Sequence, residues 1–161
     1  MRLIWVLGDQ LLPDHPLLSA PCGDALVGLI EAAPASGQLR CHQQKLTLTF
    51  AAMRHYGEAL RRAGHRVLHH RLEDPPEGAD VATVLRQWTQ QHQLGEIHLL
   101  DPNAYDTAAQ LPLLERELGV PIHTHRSNQF LVSREDFGRW AKGRKRLLME
   151  THYRLQRQRT G

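Results

Sequence analysis

A chain of 161 residues with 41% apolar and 23% charged side chains has the length of one globular domain and an ordinary folded composition, which excludes intrinsic disorder and fibrous repeats. Its longest apolar runs, residues 3–7 and 25–30, fall far short of the roughly 20 residues that a membrane span needs, so no membrane partner is expected. The formal charge of +3 hides an asymmetry: eight basic residues stand against Glu150 alone between positions 139 and 159, a local charge of +7 that leaves −4 on the remainder.

Residues 2–7 form a short apolar run bounded by Gly8-Asp9, and residues 25–30 form a second; both read as buried parallel strands. Asp9 arrives before any stretch long enough for a signal-peptide core, so a cytoplasmic location is expected. Between the two runs, Pro13, Pro16, Pro21 and Gly23 leave room for a loop with at most a turn of helix. Cys22 and Cys41 make no Cys-x-x-Cys unit, so neither a disulfide framework nor a thiolate zinc site is expected, and two cysteines cannot hold a four-cysteine iron–sulfur cluster.

From Gln43 the period changes. Leu46, Phe50, Met53 and Leu60 share one helical stripe, with Lys45, Arg54, Glu58, Arg61 and Arg62 mostly off it, and Gly64 stops the helix. Val67 and Leu68 mark a third strand. Asp80 is placed to cap a helix carrying Val81, Val84, Leu85 and Trp88, with Gly95 after its end. Residues 96–100 give a fourth strand, residues 107–118 a third helix closed by Gly119, and residues 121–125 a fifth strand. Strands alternating with helices in this way predict an α/β fold, a Rossmann-like three-layer sandwich with a five-stranded parallel sheet and right-handed crossovers. Residues 1–133 are assigned to that domain. Residues 134–161 form a basic helical segment, with helices over 134–141 and 145–159, the second having only a patchy apolar face.

In such sheets ligands bind beyond the carboxyl ends of the strands, which selects Gly8-Asp9-Gln10, Glu31 and Asp101-Pro102-Asn103. Gly8 permits close backbone approach, and Asp9 and Gln10 offer donors and acceptors for a polar heterocycle or a ribityl chain; a purely turn-stabilising role for the pair is the alternative. No Gly-x-Gly-x-x-Gly, no Gly-x-x-x-x-Gly-Lys-Ser/Thr and no Gly-x-Ser-x-Gly occurs, which disfavours dinucleotide, triphosphate and serine-nucleophile enzymes. His123-x-His125 puts two imidazoles on one side of a strand, but spacing identifies no further ligand, so no metal site is assigned.

Four segments in order resemble one family. They are Leu7-Gly8-Asp9-Gln10-Leu11; Phe50-Ala51-Ala52-Met53-Arg54-His55-Tyr56; Gly64-His65-Arg66-Val67; and Phe137 with Trp140-Ala141-Lys142-Gly143-Arg144-Lys145, Met149-Glu150 and Tyr153-Arg154. They are similar to the deoxyribodipyrimidine photolyase-related proteins, which include the iron–sulfur bacterial cryptochromes and (6-4) photolyases. The resemblance implies an amino-terminal photolyase domain that holds an antenna chromophore, 6,7-dimethyl-8-ribityllumazine or a similar group, and passes excitation to flavin in a helical second domain. It implies chromophore contacts from Gly8, Asp9, Gln10, Glu31, Lys45, Leu46, Thr49 and Pro102. Relatives place an acid where this chain has Ala35 and a branched aliphatic where it has Thr49; a lost carboxylate contact weakens binding by about 1–3 kcal/mol.

The sequence stops at Thr160-Gly161, where relatives continue into the second domain, so a truncated, non-catalytic chain without FAD or an iron–sulfur cluster is expected. A separate FAD-binding photolyase domain is then the expected partner, and an uncovered interdomain surface favours homo-oligomers. The alternative reading is a nucleic-acid-binding or partner-docking module. It would act through Arg144, Lys145, Arg146 and Arg154, with Trp140 and Tyr153 as stacking surfaces for DNA. A small nucleotide-using enzyme ranks last, because no phosphate loop or nucleophile supports it.

Overall fold

The computed structural model describes residues 1–20, 23–32 and 42–161; Pro21, Cys22, Ala35 and Cys41 lie outside the described residues. Five strands alternate with helices along residues 1–125: β1 (Arg2–Trp5), β2 (Ala25–Ile30), α1 (Gln43–Arg62), β3 (Val67–His70), α2 (Val81–His92), β4 (Glu96–Leu100), α3 (Tyr105–Leu118) and β5 (Ile122–His125). All strand pairs are parallel and the order is β3-β2-β1-β4-β5, so the expected Rossmann-like sandwich is the observed fold.

Alternation within each strand sorts the core into two layers. Leu3, Trp5, Leu26, Ile30, Ile97 and Leu99 pack with Val84, Leu85 and Trp88 of α2 and Leu114 of α3. Ile4, Val6, Val27 and Leu29 pack on the opposite face with Met53 and Leu60 of α1. Because helices cover both faces, all six residues of β2 are buried, which is why its sequence is an unbroken apolar run. Gly28 in that run has a packing reason: a Cβ there would stand 2.8 Å from Trp88 Cζ3, so the largest side chain of α2 sits flush on the sheet.

Local chemistry sets the helix ends. Asp80 caps α2 as expected, its carboxylate accepting from the Thr83 N–H at 2.7 Å. The helix α2 ends with Gly95 beyond it, as expected, and it is Gln93 that takes the left-handed conformation (φ 49°), its N–H bonding the Thr89 carbonyl. Gly95 instead donates its N–H to the Met1 carbonyl at 2.8 Å, at the start of β4.

Residues 126–161 form a separate compact unit holding α4 (Arg134–Ala141) and α5 (Met149–Thr160). Ser133 caps α4, accepting from the Asp136 N–H at 3.1 Å. The second helix begins at Met149 rather than at residue 145, because Gly143 is left-handed (φ 76°) and Leu148 is extended. Within the unit Trp140 meets His152 edge-on at 4.6 Å, and Phe137 stands 5.5 Å from Trp140. No helix among the described residues is long and apolar enough to cross a membrane.

Candidate functional site

Strand order reverses direction of growth between β1 and β4, so the loops after these strands flank the crevice where parallel sheets bind ligands. The two loops are tied to each other. Gln10 Nε2 donates to the Asp101 carbonyl at 2.9 Å, and Asn103 Nδ2 donates to Asp9 Oδ2 at 3.0 Å. Gln10 is fully buried and its backbone N–H closes a turn on the Leu7 carbonyl at 2.9 Å. The Asp101 carbonyl fixes which way the amide points, since the opposite assignment would set oxygen against oxygen. The Gln10 Oε1 atom is thereby left buried with no hydrogen-bond partner among the described residues. Such an orphan costs about 1–3 kcal/mol.

The second wall of the crevice is the first half of α1. A Cβ on Gly8 would lie 3.1 Å from Met53 Sδ and 3.4 Å from Thr49 Cγ2, so glycine lets the β1 loop run against the helix. That space is filled by protein. Any ligand beside Gly8 therefore sits toward the amino-terminal end of α1, where Lys45 is exposed and Leu46 is half-buried. Thr49 is half-buried and donates its hydroxyl to the Lys45 carbonyl at 2.9 Å, and Pro102 is buried across the crevice mouth.

Glu31, beyond β2, has a different environment from its sequence neighbours in the predicted site. Its side chain is fully buried, and both carboxylate oxygens are engaged. Arg54 donates Nε to Oε1 at 2.7 Å and Nη2 to Oε2 at 2.6 Å, the Leu72 N–H reaches Oε2 at 3.2 Å, and His69 Nε2 lies 3.0 Å from Oε1. Arg54 also reaches Glu73 Oε2 at 2.8 Å. Burial alone would push the Glu31 carboxyl up, but the bonds from Arg54 and Leu72 and the charges of Arg54 and His69 outweigh it and hold the group below the ordinary carboxylate range. Burial pushes His69 down despite Glu31 beside it. The helical period placed Arg54 mostly off the apolar stripe; only the tertiary fold reveals that it reaches back to Glu31. A buried acid at a strand end calls for a cation somewhere, but nothing in spacing says which one.

A recess of about 480 Å³, lined by Met1, Arg2, Asp24, Gly95 and Glu96, lies at the opposite, amino-terminal ends of the strands. It contains none of the predicted site residues.

In the unit of residues 126–161, Arg144 stacks over Trp140 at 4.7 Å and donates Nε to the Trp140 carbonyl at 2.7 Å, while Arg154 pairs with Glu150 at 2.7 Å. Lys145 and Arg146 are exposed, followed by exposed Leu147, Leu148 and Met149.

Over residues 4–161 the chain matches the family described as deoxyribodipyrimidine photo-lyase-related protein. It is 29% identical over 162 aligned positions to a (6-4) photolyase of Agrobacterium fabrum, an alignment covering 99% of this chain and 32% of that protein. The chain thus spans about a third of the length of the curated relative it matches.

Proposed function

Since the chain belongs to the deoxyribodipyrimidine photolyase-related family, we propose that it serves as the antenna-binding domain of a light-driven photolyase-like protein, taking a lumazine-type chromophore in the β1–β4–α1 crevice. Bound there, the chromophore would supply light absorption and pass its excitation to flavin carried elsewhere. The observation that carries the reading is the buried Gln10 Oε1, an acceptor lacking a donor at the switch point of the sheet. An imide N–H of a pteridinedione or a ribityl hydroxyl satisfies it. Asp9 and exposed Lys45 supply further polar contacts at the mouth, and Leu46 and Pro102 supply apolar surface. Glu31 acts through Arg54, holding the middle of α1 to the sheet, because direct ligand contact would require giving up one of its four bonds and ion pairs. Thr49, where relatives place a branched aliphatic residue, narrows the apolar wall and weakens binding without removing it.

Thermal unfolding with added 6,7-dimethyl-8-ribityllumazine tests the reading. At a hundredfold excess over Kd a ligand specific for the native state stabilises by about 2.7 kcal/mol, or roughly 5–10 °C for a chain of this size. The shift should fall to about half or less in Gln10→Met at the same chromophore concentration. An unchanged melting temperature at saturating chromophore would defeat the proposal.

A second reading is favoured by one observation. The exposed run Lys145-Arg146 continues into exposed Leu147, Leu148 and Met149, with Tyr153 exposed on α5. Cations beside apolar side chains suit the surface of a flavin-binding domain better than a phosphate backbone, which is recognised mainly by charge. Replacing Lys145 and Arg146 with alanine should weaken complementation by a separately produced flavin-binding domain while leaving DNA retention at moderate salt unchanged.

A further inference from the structure

The face of the sheet that carries Ile4 of β1 also carries Glu96 and His98 of β4 and His123 and His125 of β5, since His98 pairs in register with Ile4 on one side and His123 on the other. The three imidazoles form one group. His98 lies between its neighbours with ring centroids 4.9 Å from His123 and 5.1 Å from His125. Its Nε2 is buried and has no hydrogen-bond partner among the described residues. That atom is 3.3 Å from Glu96 Oε1, and His123 Nε2 is 3.8 Å from Glu96 Oε2.

One donor atom from each of Glu96, His98 and His123 lies within 4.8 Å of the other two. Around a tetrahedral zinc ion with bonds of about 2.0–2.1 Å, ligand atoms stand roughly 3.4 Å apart, so closure by about an ångström completes the triangle. The side chains of Glu96 and His123 are 42% and 48% exposed and are free to make it. The third histidine meets a further requirement of metal sites, an outer partner that orients a ligating ring. His125 Nε2 lies 2.9 Å from His98 Nδ1, the nitrogen pointing away from Glu96. Arg2, opposite Glu96 on β1, is the neighbouring cation against which a metal must compete for that carboxylate.

We propose that Glu96, His98 and His123 bind a divalent transition metal of the zinc class, with His125 as the positioning residue and a fourth coordination place open to water or another donor. Two imidazoles with one carboxylate match the borderline metals and not magnesium or calcium, which take oxygen ligands.

The test is a calorimetric titration of the chelator-stripped chain with zinc chloride at about pH 7.5, where imidazole is mostly neutral. One saturable equivalent per chain is expected, unaffected by excess magnesium. His123→Ala and Glu96→Gln should each weaken it at least tenfold, and His125→Phe should weaken it by about 10–100-fold, as loss of an outer partner does elsewhere. His55→Ala, at an exposed position of α1, is the control and should leave it unchanged. Cobalt in place of zinc should give visible bands of a four-coordinate site that His123→Ala removes. Circular dichroism establishes that each variant is folded, and half-exposed His123 is the variant most certain to be. Absence of saturable binding, full affinity in His123→Ala, or an equal loss in His55→Ala would overturn the assignment and leave only scattered surface histidines.

Discussion

Replacing Arg54 with methionine keeps the apolar stem and removes both bonds to Glu31, leaving a carboxylate with no exposed side-chain surface held by His69 and the Leu72 N–H alone. Breaking a buried pair from one side costs about 3–5 kcal/mol, and because the Arg54 side chain is 37% exposed that cost is discounted to about 2–4 kcal/mol. For a chain of this length that lowers the melting temperature by roughly 5–12 °C. Urea unfolding followed by circular dichroism measures it, and pH gives the loss a signature. In the native protein the folded Glu31 carboxyl titrates below its unfolded value. Its contribution is therefore complete above about pH 4.5 and disappears only as the pH falls through the lower folded value. In Arg54→Met only the Leu72 N–H and His69 oppose burial, and the folded value rises above the unfolded one. The variant then gains stability as the pH falls toward about 4.5, and its deficit narrows. Glu31→Gln combined with Arg54→Met should recover at least about 1 kcal/mol relative to additivity. A stability of Arg54→Met within about 0.5 kcal/mol of the native chain, or a deficit independent of pH, would refute the proposed role of the pair.

Two other perturbations follow from groups outside the crevice. His15 is buried, its Nδ1 accepts the Leu17 N–H at 3.3 Å, and burial, opposed by Asp14, pushes its pKa down to about 4. Its contribution is complete above about pH 6.5 and is lost between there and about pH 4, a fall of roughly 3 kcal/mol that His15→Asn should largely abolish in urea titrations across that window. Gln93→Gly relieves a left-handed residue whose contacts are made by its backbone, and should raise stability by about 0.5–1 kcal/mol, a gain of a few degrees in calorimetry.

What was legible in the sequence was whatever repeats along the chain. The six-residue run of β2, the stripe of α1 and the Asp80 cap each follow from local chemistry, and the strand bounds Ala25–Ile30 and Glu96–Leu100 agree with expectation to the residue. The crevice loops were legible for a topological reason, since parallel sheets place strand ends together whatever the side chains are. Arg54 was not legible as a partner of Glu31, because 23 positions separate them and the helical period says only that Arg54 is off the core stripe. The same holds for His98 and Glu96 beside His123: strand order sets their neighbours, and pairing β4 with β5 rests on contacts across a helix. Gln93 escaped because glycine is the usual left-handed cap, and here the next glycine serves strand entry instead.

The most direct test of the antenna assignment is a fluorescence titration of 6,7-dimethyl-8-ribityllumazine with the 161-residue chain. The expected result is saturable binding of one chromophore per chain, weakened at least tenfold by Gln10→Met and unaffected by alanine at Lys145 and Arg146. Binding that ignores the Gln10 substitution, or no binding at all, would contradict a chromophore seat at the β1–β4 crevice.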